Sequence, residues 1–135
     1  MREIKVGDFF ERKYIPTLED GIRFADVSTD KNPIHTDEEA AAQTRFKKPI
    51  AHGMLAGGYI SAILGNDFPG PGTVYLSQNL QFRRPVFYDE PIWVYVEVVE
   101  IIPEKNRVKL ITNCYDKDRN ILVLGEALVL VEQNL

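Results

Sequence analysis

In the stretch Val27-Ser28-Thr29-Asp30-Lys31-Asn32-Pro33-Ile34-His35, a carboxylate and an imidazole stand five positions apart, with an Asn-Pro step between them. Proline fixes its own φ and pushes the preceding residue out of the helical region, so such a loop loses few conformations on folding. Asp30 and His35 can then be held in fixed relative positions and aimed at one water molecule. An unperturbed histidine has a pKa of about 6.5, suited to proton transfer near neutrality. Asn32 both donates and accepts hydrogen bonds and is expected to support the loop. The same Asp-x-Asn-Pro pattern also makes an ordinary turn followed by a capping or packing histidine, and spacing alone leaves both readings open.

A second feature complements the first. Ala51-His52-Gly53-Met54 opens an apolar, almost chargeless run, and the first N–H groups of a helix have no partners within it. Glycine at that place lets a ligand approach the backbone closely. A carbonyl oxygen set there gains hydrogen bonds and the helix dipole as it turns into an enolate. Hydration of an α,β-unsaturated thioester needs that stabilisation, one group to take a proton from water and another to deliver one to the α carbon. His52 is expected to make a structural hydrogen bond. Asp30, His35, Asp37, Glu38 and His52 are possible metal ligands, but their spacing matches no standard cage and the chain holds only two histidines. No metal and no other cofactor is expected.

These residues need elements to position them. Thr17 and Asp20 form a loose capping box ahead of Leu18, Ile22 and Ala25 at helical spacing. That helix should fail near Ser28. Thr36 should start a short second helix, with Glu39 three residues on and Asp37 and Glu38 beside the positive end of its dipole. The run from about Gly53 to Gly65 reads as a third helix, apolar on almost every side and so surrounded by other structure. Gly53, Gly57, Ser61 and Gly65 give it one strip of small residues.

From Gly72 onward the pattern is that of strands in an antiparallel meander. In Thr73–Phe87, Val74, Leu76, Leu80 and Phe82 are expected on one face and Tyr75, Ser77, Asn79 and Arg83 on the other. Ile92, Val94, Val96 and Val98 mark the inner face of the next strand, then Val108, Leu110, Thr112 and Cys114. Ile121–Val131 is apolar enough to be covered on both faces. An early strand near Asp8–Tyr14 is expected at the sheet edge. A long antiparallel sheet can satisfy its inner face by curling around one buried helix, here Gly53–Gly65. This is an α+β hotdog fold, one domain spanning 1–135. Its exposed edges suit pairing in a homodimer or a dimer-based higher oligomer.

Bulk properties exclude several classes. The 135 residues suffice for one core, and a net charge of -4 argues against nucleic acid as a partner. A single cysteine, Cys114, excludes an internal disulfide framework. The N-terminus lacks a signal-peptide core and no apolar run is long enough to span a bilayer, so no membrane is implicated and a cytoplasmic location is the default.

The segment Phe24–His35 resembles the hydratase motif of the MaoC-like, (R)-specific enoyl-CoA hydratases. That motif usually has glycine before the aspartate, where this chain has Thr29. Ala51-His52-Gly53-Met54-Leu55 resembles the next signature block. The resemblance continues through Pro69–Leu76, Phe82-Arg83-Arg84-Pro85-Val86 and Gly125-Glu126-Ala127. It implies Asp30 and His35 as the catalytic pair that activates water, Gly53 as the backbone N–H that polarises the thioester carbonyl, and Ser61 as a substrate-site serine of the helix. For Ser61 the competing reading is a buried hydroxyl bonded back to its own helix. The implied reaction is reversible syn addition of water to a trans-2-enoyl-CoA, giving an (R)-3-hydroxyacyl-CoA, with the acyl-CoA thioester as the small-molecule partner. The alternatives are a dehydratase acting on acyl-carrier-protein or other carboxylic acid thioesters, and a non-catalytic acyl-thioester-binding subunit. Arg83-Arg84 and Lys47-Lys48 could meet phosphates or be plain surface charge.

Overall fold

The computed structural model describes residues 3–135, so positions 1 and 2 of the expected domain lie outside the described residues. In chain order the elements are β1 (Phe9–Tyr14), α1 (Leu18–Ser28), α2 (Glu38–Ala42), α3 (Gly53–Asn66), β2 (Val74–Phe82), β3 (Ile92–Ile102), β4 (Arg107–Tyr115) and β5 (Ile121–Leu130). The capping box forms as read: the Asp20 N–H donates to the Thr17 hydroxyl at 3.2 Å and the Thr17 N–H to the Asp20 carboxylate at 2.9 Å. The second helix starts later than expected. Pro33 opens a 3-10 turn, Pro33–His35, and Asp37, not Thr36, caps α2 by accepting the N–H groups of Glu39 and Ala40. An ionised carboxylate is the stronger acceptor at that position.

The five strands form one antiparallel sheet in the order β1-β3-β4-β5-β2. β1 lies at the edge, as expected. The meander is confined to β3, β4 and β5, because β2 crosses to the far edge and pairs with β5 instead of β3. Ile92, Val94, Val96 and Val98 of β3 and Val108, Leu110, Thr112 and Cys114 of β4 are all buried on the inner face. β5 is not covered on both faces: Val123, Ala127 and Val129 are buried, while Glu126 stays exposed.

α3 fills the curve of this sheet. Ala56, Ile60, Ile63 and Leu64 pack into the cluster formed by the inner faces of β3, β4 and β5. Burying each Ile or Leu contributes about 1.5–3 kcal/mol, so this helix and the sheet stabilise one another. The helix is not surrounded as its composition suggests. Met54, Gly58 and Ser61 form a side that the protomer leaves exposed. At its far end the Asp67 carboxylate takes two hydrogen bonds from the Arg12 guanidinium, at 2.6 and 3.1 Å, which ties the helix to β1.

β2 departs furthest from its expected form. It stops at Phe82 because the N–H groups of Arg83 and Arg84 both turn onto the Leu122 carbonyl and Pro85 follows. A bulge between Tyr75 and Ser77 shifts the alternation by one residue. Tyr75 thereby faces Val129 on the inner side with Gln78, Leu80 and Phe82, while Val74 turns outward. Gln78 donates to the buried Thr112 hydroxyl at 2.8 Å. Gly125 makes room for that bond: a Cβ there would lie 2.7 Å from both the Asn79 carbonyl and the Thr112 hydroxyl. Cys114 is fully buried and burial pushes its thiol up to about 12, so it is core and not a nucleophile. No helix among the described residues is long and apolar enough to cross a membrane.

Candidate active site

α1 ends at Thr29, whose φ of 67° and ψ of 9° lie in the left-handed region. A β-branched residue is strained there, at about 1–2 kcal/mol. Glycine would escape that cost, which accounts physically for its usual place in the resembling motif. The next residues are tied by successive Asx turns. The Asn32 N–H donates to Asp30 Oδ1 and the Ile34 N–H to Asn32 Oδ1, both at 3.2 Å. Asn32 therefore supports the loop as expected, and Pro33 leads directly into the turn that carries His35.

The loop is fastened to the start of α3 through Ile50. Its N–H donates to the Ile34 carbonyl at 3.2 Å, and its own carbonyl accepts from His35 Nδ1 at 2.8 Å. A carbonyl only accepts, so Nδ1 carries a hydrogen and the neutral ring keeps its lone pair on Nε2. Tyr88 braces the same residue from behind, its hydroxyl donating to the His35 carbonyl at 2.8 Å. A Cβ at Gly21 would fall 2.0 Å from that hydroxyl, so the glycine inside α1 is what lets Tyr88 reach. Sequence reasoning missed Tyr88. A glycine in a helix interior costs stability, and Gly21 was the available sign of a close approach.

His52 makes the structural bond expected of it. Its Nε2 donates to the Asp30 carbonyl at 3.0 Å, while its ring stacks on His35 with centroids 3.9 Å apart and rests against Phe24 at 4.7 Å. The ring is almost fully buried and Nδ1 has no partner. One side chain thus holds the backbone of Asp30 and the ring plane of His35. A carboxylate oxygen of Asp30, a ring nitrogen of His35 and a ring nitrogen of His52 lie within 4.8 Å of one another. Asp37 and Glu38 do not join this group. As a metal site the trio is poorly formed, because near-parallel stacked rings send their in-plane lone pairs side by side instead of converging on one ion.

Asp30 and His35 line a cleft of about 480 Å³ together with Phe24, His52, Gly53 and Phe82. His52 caps α3 without a side-chain bond to it, and the Gly53 N–H makes no hydrogen bond among the described residues. The Phe82 ring covers this glycine so closely that a Cβ would sit 2.7 Å from it. The cleft therefore brings together two groups able to move protons and a free helix-end donor. Ser61 is not brought to them. It is exposed and has no hydrogen bond back to its helix among the described residues, so the reading of it as a buried hydroxyl does not describe its position. It lines a separate apolar cleft of about 430 Å³ between α3 and β2 with Gly57, Tyr75, Gln78 and Leu80. Phe24 and Met54 border both clefts.

The model of the family described as MaoC like domain matches residues 6–118. The chain is 49% identical over 112 residues to a 3-hydroxybutyryl-CoA dehydratase of Methylorubrum extorquens, covering 83% of this chain and 71% of that one. It is 44% identical over 108 residues to an (R)-specific enoyl-CoA hydratase of Rhodospirillum rubrum, covering 80% and 74%. Its structure is similar to that of an R-hydratase of Pseudomonas aeruginosa in the unliganded form, with a TM-score of 0.92 and 42% identity over 98% of this chain and 84% of that one.

Removing the Tyr88 hydroxyl should loosen the loop. Tyr88→Phe is expected to lower the unfolding free energy in urea by about 0.5–1.5 kcal/mol and to speed amide exchange at His35 and its neighbours. Wild-type values for both would show that the brace carries no load.

Proposed function

This chain belongs to the MaoC-like domain family, and we propose on that footing that it is a hydro-lyase, one domain over residues 1–135, that adds water reversibly to a trans-2-enoyl-CoA to give an (R)-3-hydroxyacyl-CoA. The observation that carries this reading is the convergence of Asp30 and His35 in one cleft beside the unpartnered Gly53 N–H. The thioester carbonyl rests on that N–H at the positive end of α3. Water is held between Asp30 and His35 Nε2, the nitrogen left free by the bond from Nδ1 to Ile50.

Atoms balance simply. The water oxygen bonds to C3 and its proton passes to one member of the pair. Electrons of the double bond move onto the carbonyl oxygen, where the Gly53 N–H and the helix dipole stabilise the enolate. C2 then takes a proton from the pair, which returns to its starting state, and dehydration runs the same steps backward. Ser61, eight residues beyond Gly53 on α3, does not react. It lines the apolar cleft that receives the acyl chain past Met54, and so serves as a substrate-binding residue.

We also propose a homodimer through β2. This strand lies at the sheet edge with Val74, Tyr75, Leu76 and Phe82 exposed, and Met54 is 57% exposed beside it. An apolar edge with free N–H and C=O groups is a template for a second strand. Two-fold pairing of β2 would also roof the acyl cleft, which is otherwise open along Ser61 and Tyr75.

With crotonyl-CoA, loss of the conjugated thioester absorbance is expected without release of thiol. Asp30→Asn and His35→Gln should each lower turnover about 10²–10⁴-fold while circular dichroism shows the native fold. Near-normal turnover in both folded variants sinks the assignment. Light scattering should give a dimer for the wild type and a monomer for Leu76→Arg; a monomeric wild type at working concentration contradicts the β2 interface.

A further inference from the structure

The cleft that holds Asp30 and His35 has a second charge character along its rim. Arg45, Arg83 and Arg84 all line it, and among the described residues Asp30 is the only carboxylate that does. This is a marked segregation in a chain of net charge -4. None of the three guanidinium groups belongs to an ion pair among the described residues. Arg83 directs Nε and Nη2 to the neutral Gln81 amide oxygen at 3.2 and 2.7 Å, which orients the group without cancelling its charge. Arg45 lies over the Phe46 ring at 5.1 Å, again with no anion. Arg84 borders an adjoining cleft that contains Asp116; that carboxylate takes hydrogen bonds from Asn120 and the Asp118 N–H and also feels the Arg84 charge, which helps hold its carboxyl below the usual range without a direct ion pair. Lys48, by contrast, is already paired with Glu90 and does not line the cleft.

We propose that Arg45, Arg83 and Arg84 form a phosphate-binding rim that grips the nucleotide end of coenzyme A, and so select a coenzyme A thioester over a carrier-protein thioester. This inference rests on the hydratase reading of the same cleft. Guanidinium groups bind phosphate oxygens in paired, charge-assisted hydrogen bonds, and several on one rim act together where one exposed charge would be weak. Coenzyme A offers a diphosphate and a 3′-phosphate. A phosphopantetheine arm offers a single phosphodiester, and a pantetheine fragment none. Three arginines on one rim, none in a direct ion pair among the described residues, match the first in number and sign. The rim adjoins Gly53 through Phe82, the residue immediately before Arg83, so a thioester anchored at Gly53 leads its carrier outward past the arginines.

The test compares crotonyl-CoA with crotonyl-N-acetylcysteamine, which carries the same reacting thioester and no phosphate. The quantity read is the ratio of their kcat/KM values in the wild type and in Arg45→Gln, Arg83→Gln, Arg84→Gln and the triple variant. Each single change should lower that ratio about tenfold, mainly through KM for the coenzyme A substrate, and the triple variant should lower it further. Added salt should lower the ratio in the wild type and hardly affect it in the triple variant. A ratio equal to the wild type's in every variant overturns the proposal, leaving plain surface charge. A larger loss with a crotonyl carrier protein than with crotonyl-CoA overturns it in favour of a protein-docking role. Failure of the wild type to hydrate either small thioester would instead refute the hydratase reading; isothermal titration with coenzyme A then tests the rim by itself, with loss of binding in the triple variant expected and unchanged binding fatal to it.

Discussion

The backbone of Ile50 carries hydrogen bonds in both directions across the site, its N–H to the loop that bears His35 and its carbonyl from the His35 ring. Asp30 and His35 sit on a segment with little apolar burial of its own, so local hydrophobic packing cannot fix their geometry. Backbone bonding does so instead. Asn32 and Pro33 stiffen the loop from within, Ile50 and Tyr88 hold His35, and His52 holds the Asp30 carbonyl. Because Ile50 and His52 immediately precede α3, the pair is referenced to the same helix end that presents the Gly53 N–H. Catalytic geometry tolerates little slack, and this arrangement makes the Gly53 donor and the proposed proton-moving pair one unit.

That unit is only as steady as α3. Ala56, Ile60, Ile63 and Leu64 anchor the helix in the sheet, and the Arg12–Asp67 fork secures its other end. The core thus serves the chemistry by fixing where one helix begins. The side of α3 left bare by Met54, Gly58 and Ser61 carries no such constraint, and there the protomer offers an apolar cleft and an unpaired strand. Strain enters directly beside Asp30. Thr29 holds a left-handed conformation next to Asp30, a cost the surrounding bonds must over-determine for the turn to persist.

Much of this was legible in the residues because the signals are local. The capping box, the Asn-Pro bend, the alternation of β3 and β4 and the glycine opening the apolar helix all follow from neighbours within a few positions. The misread features depend on distant partners. Nothing in β2 itself says that it pairs with β5, and one extra residue at Leu76 reverses the faces that strict alternation assigns. Thr36 and Asp37 both qualify as helix caps, and only the turn made by Pro33 decides between them. The buried-hydroxyl reading of Ser61 fails likewise, because only the packing of α3 decides that this residue is exposed on the wall of a second cleft. Tyr88 was invisible because its role lies in a contact 53 positions away along the chain.

The geometry has a stereochemical consequence that no rearrangement elsewhere can imitate. In the proposed mechanism Asp30 and His35, whose functional atoms lie within 4.8 Å of one another and of His52, share one water molecule, so oxygen and proton would reach the same face of the double bond. Hydration of crotonyl-CoA in deuterium oxide, with the product resolved by NMR, reads this out directly. The account predicts the 3R alcohol with a single deuterium at C2 on the face that received the hydroxyl. Deuterium on the opposite face, or spread over both, would mean that the two side chains do not share one water molecule.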